Sequence, residues 1–218
     1  MFAGHVGVGL ALGSVERRVN AGVFVAAALL LDAILWLLVL LGWESVVIPP
    51  DFAATHQPQF VFPWSHGLVA SILWSVLAAG LAFFLCADRR SAALLVFAAV
   101  FSHWLLDALV HRPELPLAGA GSARVGAGLW DHLALALGVE AALVIAGLGL
   151  YLRGAALSRG RSVALGASAL VLLLFTVLGM TIAPAPPSPR AMAIGSLATL
   201  AATCAWFAWL ARAPRGAR

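Results

Sequence analysis

Histidines and carboxylates recur within the apolar stretches of this 218-residue sequence. The densest group is His103, Asp107 and His111, which follow one another at intervals of four residues. On a helix this spacing places all three side chains along one face. Burying an ionisable group in lipid costs several kcal/mol unless the group is paired. We therefore expect this polar stripe to meet partner groups on other segments.

Further candidates lie in separate apolar segments, at His5, Asp32 and His66. Imidazole nitrogen together with carboxylate oxygen suits Zn²⁺, and Mn²⁺ or Fe²⁺ are alternatives. The sequence therefore predicts a divalent-metal site formed by His5, Asp32, His66, His103 and Asp107. Five ligands exceed one tetrahedral zinc, so either two ions share the site or one group acts as a base. A coordinated water has its pKa lowered toward ~7, which would supply a nucleophile at neutral pH.

Other polar residues have supporting roles in this interpretation. Glu140 and His111 are the candidates for moving protons, as catalytic residues. Both could also orient metal ligands, as could Trp64 and Ser65. His111 borders the 112–127 loop, where an interfacial position is the alternative. The remaining candidates are expected at the membrane interface or in solvent, namely His56, Asp131 and His132.

The composition defines the elements that must position these groups. Hydrophobic residues make up 63% of the chain and charged residues 10%, with a mean hydropathy of +1.02. A soluble domain of this size carries more surface charge. Several apolar runs reach the ~20 residues that a helix needs to cross ~30 Å of hydrocarbon. The sequence predicts one all-α domain over residues 1–218, a polytopic membrane bundle of about six or seven transmembrane helices.

The predicted segments follow from the apolar runs. The first is short and rich in small residues, so we expect a short or re-entrant helix packed tightly among others. No broken helix pair or inverted repeat is evident. The predicted segments are 2–14, 19–42, 64–87, 91–111, 128–152, 162–183 and 191–211.

Arginine placement predicts the orientation. Ten of the thirteen arginines lie on alternate connections, which the positive-inside rule assigns to the cytoplasm together with the C-terminus. The loops at 43–63, 112–127 and 184–190 then face outward, and the predicted metal-site residues lie in the outer half of the bilayer. Because the arginines are dispersed, nucleic-acid binding is not expected. The ten are Arg17, Arg18, Arg89, Arg90, Arg153, Arg159, Arg161, Arg212, Arg215 and Arg218.

Four short motifs occur in a fixed order: Gly4-His5, Leu30-Leu31-Asp32, Trp64-Ser65-His66 and Ser102 through Asp107. In these motifs the chain resembles the bacterial inner-membrane family of predicted metal-dependent hydrolases that includes the LexA-regulated YdjM-like proteins. The resemblance implies the same five metal-site positions and a bacterial inner-membrane location. The chain departs from the broader family pattern in having Leu31 before the acid and Gly67 after the histidine.

Three functions are compatible with these observations. The first is a metal-dependent hydrolase acting on a lipid-like ester or phosphoester at the outer leaflet. The second is a proton- or metal-coupled transporter, because buried carboxylates and histidines also serve as relays. The third is a non-catalytic membrane scaffold in which the polar residues only hold helices together. For all three the lipid bilayer is the surrounding partner.

Overall fold

The computed structural model describes residues 1–86 and 89–212. Within these ranges the secondary structure is predominantly helical, with short strands confined to connecting loops. Ala87, at the end of the predicted segment 64–87, and the arginines at 215 and 218 lie outside the described residues. The helices are α1 (Phe2–Val15), α2 (Ala21–Ala28), α3 (Leu30–Leu41), α4 (Phe52–Thr55), α5 (Leu68–Leu85), α6 (Arg89–Val110), α7 (Leu133–Leu152), α8 (Arg159–Thr181) and α9 (Pro189–Leu210).

Long apolar helices dominate the bundle. In the described part of the chain, α5, α6, α7, α8 and α9 are each long and apolar enough to cross a membrane. The pair α2 and α3 can form a sixth span, and α1 is a shorter apolar helix. The predicted class, a polytopic α-helical membrane bundle with a short first segment, is therefore confirmed.

The predicted segment 19–42 is not one straight helix. It divides at Leu29 into α2 and α3, whose axes differ by 48°. Leu29 has φ −101° and ψ 4°, outside the helical range, and no proline lies at the bend. The sequence prediction that no helix pair is broken is wrong here. The bend places Asp32 in the first turn of α3.

Helix α1 lies inside the bundle and packs mainly against α7 and α2. Its glycines permit close backbone approach, as small residues do between membrane helices. A Cβ on Gly7 would lie 2.5 Å from the Leu143 carbonyl oxygen of α7, and a Cβ on Gly9 would lie 2.6 Å from the Val25 Cα of α2. This packing buries His5 in the centre of the bundle.

Two small hairpins and two short helical turns occupy the connections on one side of the bundle. Strand β1 (Ser45–Val47) pairs with β2 (Gln59–Val61), and β3 (Leu115–Pro116) pairs with β4 (Arg124–Val125). Residues Leu129–His132 form a 3-10 turn before α7. His66, expected in the first turn of a helix, instead precedes α5, which is capped by Gly67.

The contact between α1 and α7 generates a stability prediction. A methyl group on Gly147 would clash with the Gly7 carbonyl oxygen, whereas one on Gly149 of the same helix meets nothing within 4 Å. We expect Gly147→Ala to lower the free energy of unfolding by about 1–3 kcal/mol, since overpacking forces backbone shifts. Thermal unfolding in detergent measures this, with Gly149→Ala as the matched control. Equal stability of the two variants would contradict this packing.

Candidate metal centre

The polar stripe of α6 forms the core of the site. His103 and Asp107 are almost completely buried, and His103 Nε2 lies 3.2 Å from Asp107 Oδ2. One turn further, His111 Nε2 lies 3.7 Å from the same oxygen. The helical spacing therefore directs two imidazole nitrogens toward one carboxylate.

The bend between α2 and α3 fixes the ring of His103. Ala28 is the last residue of α2. The carbonyl groups in the last turn of a helix have no partner within the helix and can accept hydrogen bonds from other segments. His103 Nδ1 donates a hydrogen bond to this carbonyl oxygen at 2.7 Å. A carbonyl can only accept, so the proton lies on Nδ1 and the Nε2 atom of neutral His103 carries a lone pair.

A buried hydrogen-bonded chain fixes the ring of His66. Glu44 accepts hydrogen bonds from the backbone N–H groups of Trp64 and Ser65, both at 2.8 Å, and from the Ser65 hydroxyl at 2.7 Å. The single hydroxyl proton of Ser65 is committed to the carboxylate, so its oxygen accepts from His66 Nδ1 at 2.8 Å. The Nε2 atom of neutral His66 is therefore also unprotonated.

These two lone pairs face one another. His66 Nε2 and His103 Nε2 are 3.2 Å apart. Two unprotonated imidazole nitrogens cannot form a hydrogen bond with each other. A cation between them, either a proton or a metal ion, makes the arrangement favourable. Metal-ligating histidines commonly donate their other ring N–H to a carbonyl or carboxylate network, as both rings do here.

Carboxylate oxygens complete a four-atom cage around these nitrogens. Asp32 Oδ1 lies 3.7 Å from His66 Nε2 and 3.6 Å from His103 Nε2. Asp107 Oδ2 lies 3.4 Å and 3.2 Å from the same two atoms. Ligands about 2.0–2.2 Å from a tetrahedral zinc stand about 3.3–3.6 Å from one another. The five separations that involve the two ring nitrogens, 3.2–3.7 Å, lie close to that range.

His5 lies on the opposite side of Asp107. Its Nε2 atom is 3.2 Å from Asp107 Oδ1, and its ring stacks on that of His103 with centroids 3.7 Å apart. The α-amino group of Met1 is 3.4 Å from the same oxygen. His5, His103 and Asp107 form a second group of donor atoms within 4.8 Å of one another. All five predicted metal-site residues therefore converge, with His5 on the second oxygen of Asp107.

The two predicted proton carriers border the cage. His111 is buried within the protein, and its Nδ1 donates to Glu114 Oε1 at 2.5 Å. Glu140 is buried on α7, where Oε2 accepts from the Gly4 N–H at 3.1 Å. Glu140 does not contact the four-atom cage through any hydrogen bond among the described residues, but it lines the same cavity as Asp32.

The other polar candidates lie away from the cage. Asp131 is half exposed and pairs with Arg112 at 2.7 Å, and His132 is exposed. His56 was expected in solvent, but it is half-buried and lines the cavity. Trp64 is 56% exposed and contributes its backbone rather than its ring.

Sequence reasoning missed Glu44 and Glu114. Glu44 lies just beyond the end of a predicted span, in a loop expected to face water, and no periodicity marks it. Glu114 follows His111 at i+3, a spacing that was available as a signal but falls within the predicted loop. Glu44 orients His66 through Ser65, and Glu114 accepts a hydrogen bond from His111, so both carboxylates position histidines of the cluster.

No protein-family model, curated protein or solved structure matches this chain. The fold and the cluster define a polytopic helical membrane protein with a buried group of imidazoles and carboxylates. Assignment to a family therefore depends on the short motifs alone.

The Glu44 chain generates a prediction. We expect Glu44→Ala to lower the free energy of unfolding by about 3 kcal/mol, because three hydrogen bonds to a buried carboxylate are lost. Thermal unfolding in detergent measures the change. Asp51→Ala, at an exposed position of the same loop, is the control and should unfold as the wild type does. Indistinguishable unfolding of both variants would remove Glu44 from this supporting role.

Proposed function

We propose that this chain is a membrane-embedded metal-dependent hydrolase that acts on a lipid-like ester or phosphoester. The observation that carries the proposal is the cage formed by Nε2 of His66 and His103 with Oδ1 of Asp32 and Oδ2 of Asp107. Both ring nitrogens present lone pairs, and the spacing suits a tetrahedral divalent ion, for which Zn²⁺ is the first choice and Mn²⁺ or Fe²⁺ are alternatives.

Access to the cage favours catalysis over a purely structural role. A cavity of about 550 Å³ reaches Asp32, whose side chain remains 23% exposed while the other cage residues are almost completely buried. This volume lies within the range of ~300–1,000 Å³ that is typical of ligand pockets. A pure packing cluster has no need for such an opening.

Each residue has a distinct part in the proposed chemistry. A bound divalent ion supplies Lewis acidity and an activated water. His5 holds Asp107 through Oδ1, and His111, paired with Glu114, is placed to accept or return a proton beside Asp107. Glu140, which lines the same cavity as Asp32, is the alternative proton carrier.

We further propose that the chain belongs to the YdjM-like hydrolase family and lies in a bacterial inner membrane. We also propose that its C-terminus is cytoplasmic. Support for the orientation comes from the grouping of arginine-bearing connections. The Arg17 guanidinium lies beside Gly154, and that of Arg161 donates to the Arg212 carbonyl oxygen. The cage side of the bundle, with its hairpins, would then face outward.

Metal content tests the cage directly. We expect protein purified without chelators to hold about one equivalent of divalent metal, and His103→Ala to fall below about a tenth, because the ion loses its central ligand. Elemental analysis measures both, and His132→Ala, at an exposed histidine, serves as the control. Asp32→Asn is a second variant at a partly exposed position, should His103→Ala fail to fold. Metal-free wild type or unchanged content in both cage variants would refute the site.

A coupled transporter is the second candidate, and the bend between α2 and α3 favours it. Discontinuous helices form the ion and substrate sites of many transporters. Here the bend places both the Ala28 carbonyl and Asp32 at the cage. In this alternative the same residues bind a proton or metal ion transiently rather than permanently.

Hydrolysis assays separate the two candidates. We expect the metal-loaded protein to cleave p-nitrophenyl decanoate or bis(p-nitrophenyl) phosphate in mixed micelles, with rates at least about 100-fold lower for Asp32→Asn. Metal removal should abolish the activity and metal restoration should return it. Glu16→Gln, a carboxylate far from the cage that pairs with Arg18, is the matched control. Absence of hydrolysis together with Asp32-dependent zinc uptake into sealed vesicles would favour transport instead.

A further inference from the structure

The cavity next to Asp32 separates two consecutive helices. Helices α8 and α9 pack mainly against other parts of the bundle, α8 against α7 and α9 against α3 and α2. Both contribute residues to the cavity wall, including Phe175 and Gly179 from α8 and Gly195 from α9. Phe175 and Gly195 are both exposed. The cavity is therefore bordered by α8 and α9 and also by loop residues such as Gln57 and Pro186.

Two buried polar groups in the cavity wall lack hydrogen-bond partners. Among the described residues, the Thr176 hydroxyl and the Trp130 indole N–H are both buried without a partner. The Thr176 residue is only 7% exposed. Leaving such a group unsatisfied costs about 1–3 kcal/mol. Indole N–H is a donor only, so its missing partner is an acceptor.

Trp130 lies beside the histidine cluster, and both groups line the cavity that reaches Asp32. Trp130 packs on His111, with ring centroids 4.2 Å apart, and its carbonyl accepts a hydrogen bond from Gln57. Trp130, Thr176, Asp32 and Glu140 all line the same cavity. The cavity thus combines two unpaired polar groups with apolar side chains from two long apolar helices, α8 and α9.

We infer that this cavity is the lipid-binding subsite of the proposed hydrolase, an inference that rests on the proposed function. A membrane lipid enters between α8 and α9 with its acyl chain against Phe175, Gly179 and Gly195. The carbonyl or phosphoryl oxygens of its head group accept hydrogen bonds from Trp130 and Thr176. This positions the ester or phosphoester bond beside Asp32.

Photo-crosslinking tests binding separately from catalysis. The protein is reconstituted into nanodiscs with a phosphatidylglycerol that carries a diazirine on its acyl chain, and the labelled residues are mapped by mass spectrometry. We expect labelling of the facing residues of α8 and α9, including Met180 and Met192. Gly195→Phe should block it by filling the cavity, whereas Gly166→Phe, on α8 outside the cavity, should not.

The polar contacts are tested with conservative variants. We expect Trp130→Phe and Thr176→Val each to reduce cavity labelling about 3- to 10-fold, the effect of one lost hydrogen bond. Thr181→Val, whose exposed hydroxyl already bonds Val177, is the control. A diazirine alkane without a head group should be insensitive to both variants.

Each outcome bears on the inference independently of the metal assay. The lipid subsite would be overturned, even in a protein that binds metal, by labelling that Gly195→Phe leaves unchanged. It would also be overturned if the Trp130 and Thr176 variants were labelled as strongly as the wild type. Cavity labelling with the expected sensitivity, in a protein that lacks metal and hydrolytic activity, would support the lipid site while the hydrolase proposal fails.

Discussion

Asp107 is a carboxylate buried within a long apolar helix, and its negative charge must be balanced inside the bundle. In a low-dielectric interior an uncompensated carboxylate is far more costly than any single packing defect. One oxygen of Asp107 faces Nε2 of His66, of His103 and, more distantly, of His111, so a cation held among these atoms would balance the charge, and the other oxygen lies 3.2 Å from His5 Nε2. These groups come from different segments, so the charge requirement links α1, α6 and the turn before α5. The close packing of α1 through its glycines follows from the same requirement, because His5 must reach the centre of the bundle.

Two local irregularities of the backbone set the orientation of the histidine rings in the cage. The bend at Leu29 supplies the Ala28 carbonyl to His103 and positions Asp32 one turn later. The turn before α5, held by Glu44, presents His66 through Ser65. A straight second span and a helix beginning at Trp64 would provide neither arrangement. Both irregularities orient a ring so that Nε2 points toward the carboxylates, which is the orientation that the proposed metal site requires.

The sequence was most informative where the physical signal is local. Apolar run length predicted the long helices, and the cost of burying charge singled out the five residues that the structure brings together. The bend at Leu29 was not predictable in this way, because no proline or glycine occurs at that point and the run remains apolar throughout. Glu44 was missed because its burial depends on a loop folding back over the bundle. The cavity was likewise not predictable from the sequence, because it depends on the distance between α8 and α9 and not on the composition of either helix.

The distribution of exposure within the cage bears on which function is feasible. His66, His103 and Asp107 are sealed from solvent and held by protein groups, whereas Asp32 alone opens to the cavity. A structural ion is normally enclosed by four protein ligands, while a catalytic ion keeps one position accessible. The cage has four protein donors, so in the proposed hydrolase one of them would have to leave the ion before substrate could bind it. Asp32 is the donor with the longest separations and the only one next to open space. Under the proposed function, Asp32 is therefore the ligand that water or a substrate oxygen would replace, while His66, His103 and Asp107 would continue to hold the ion.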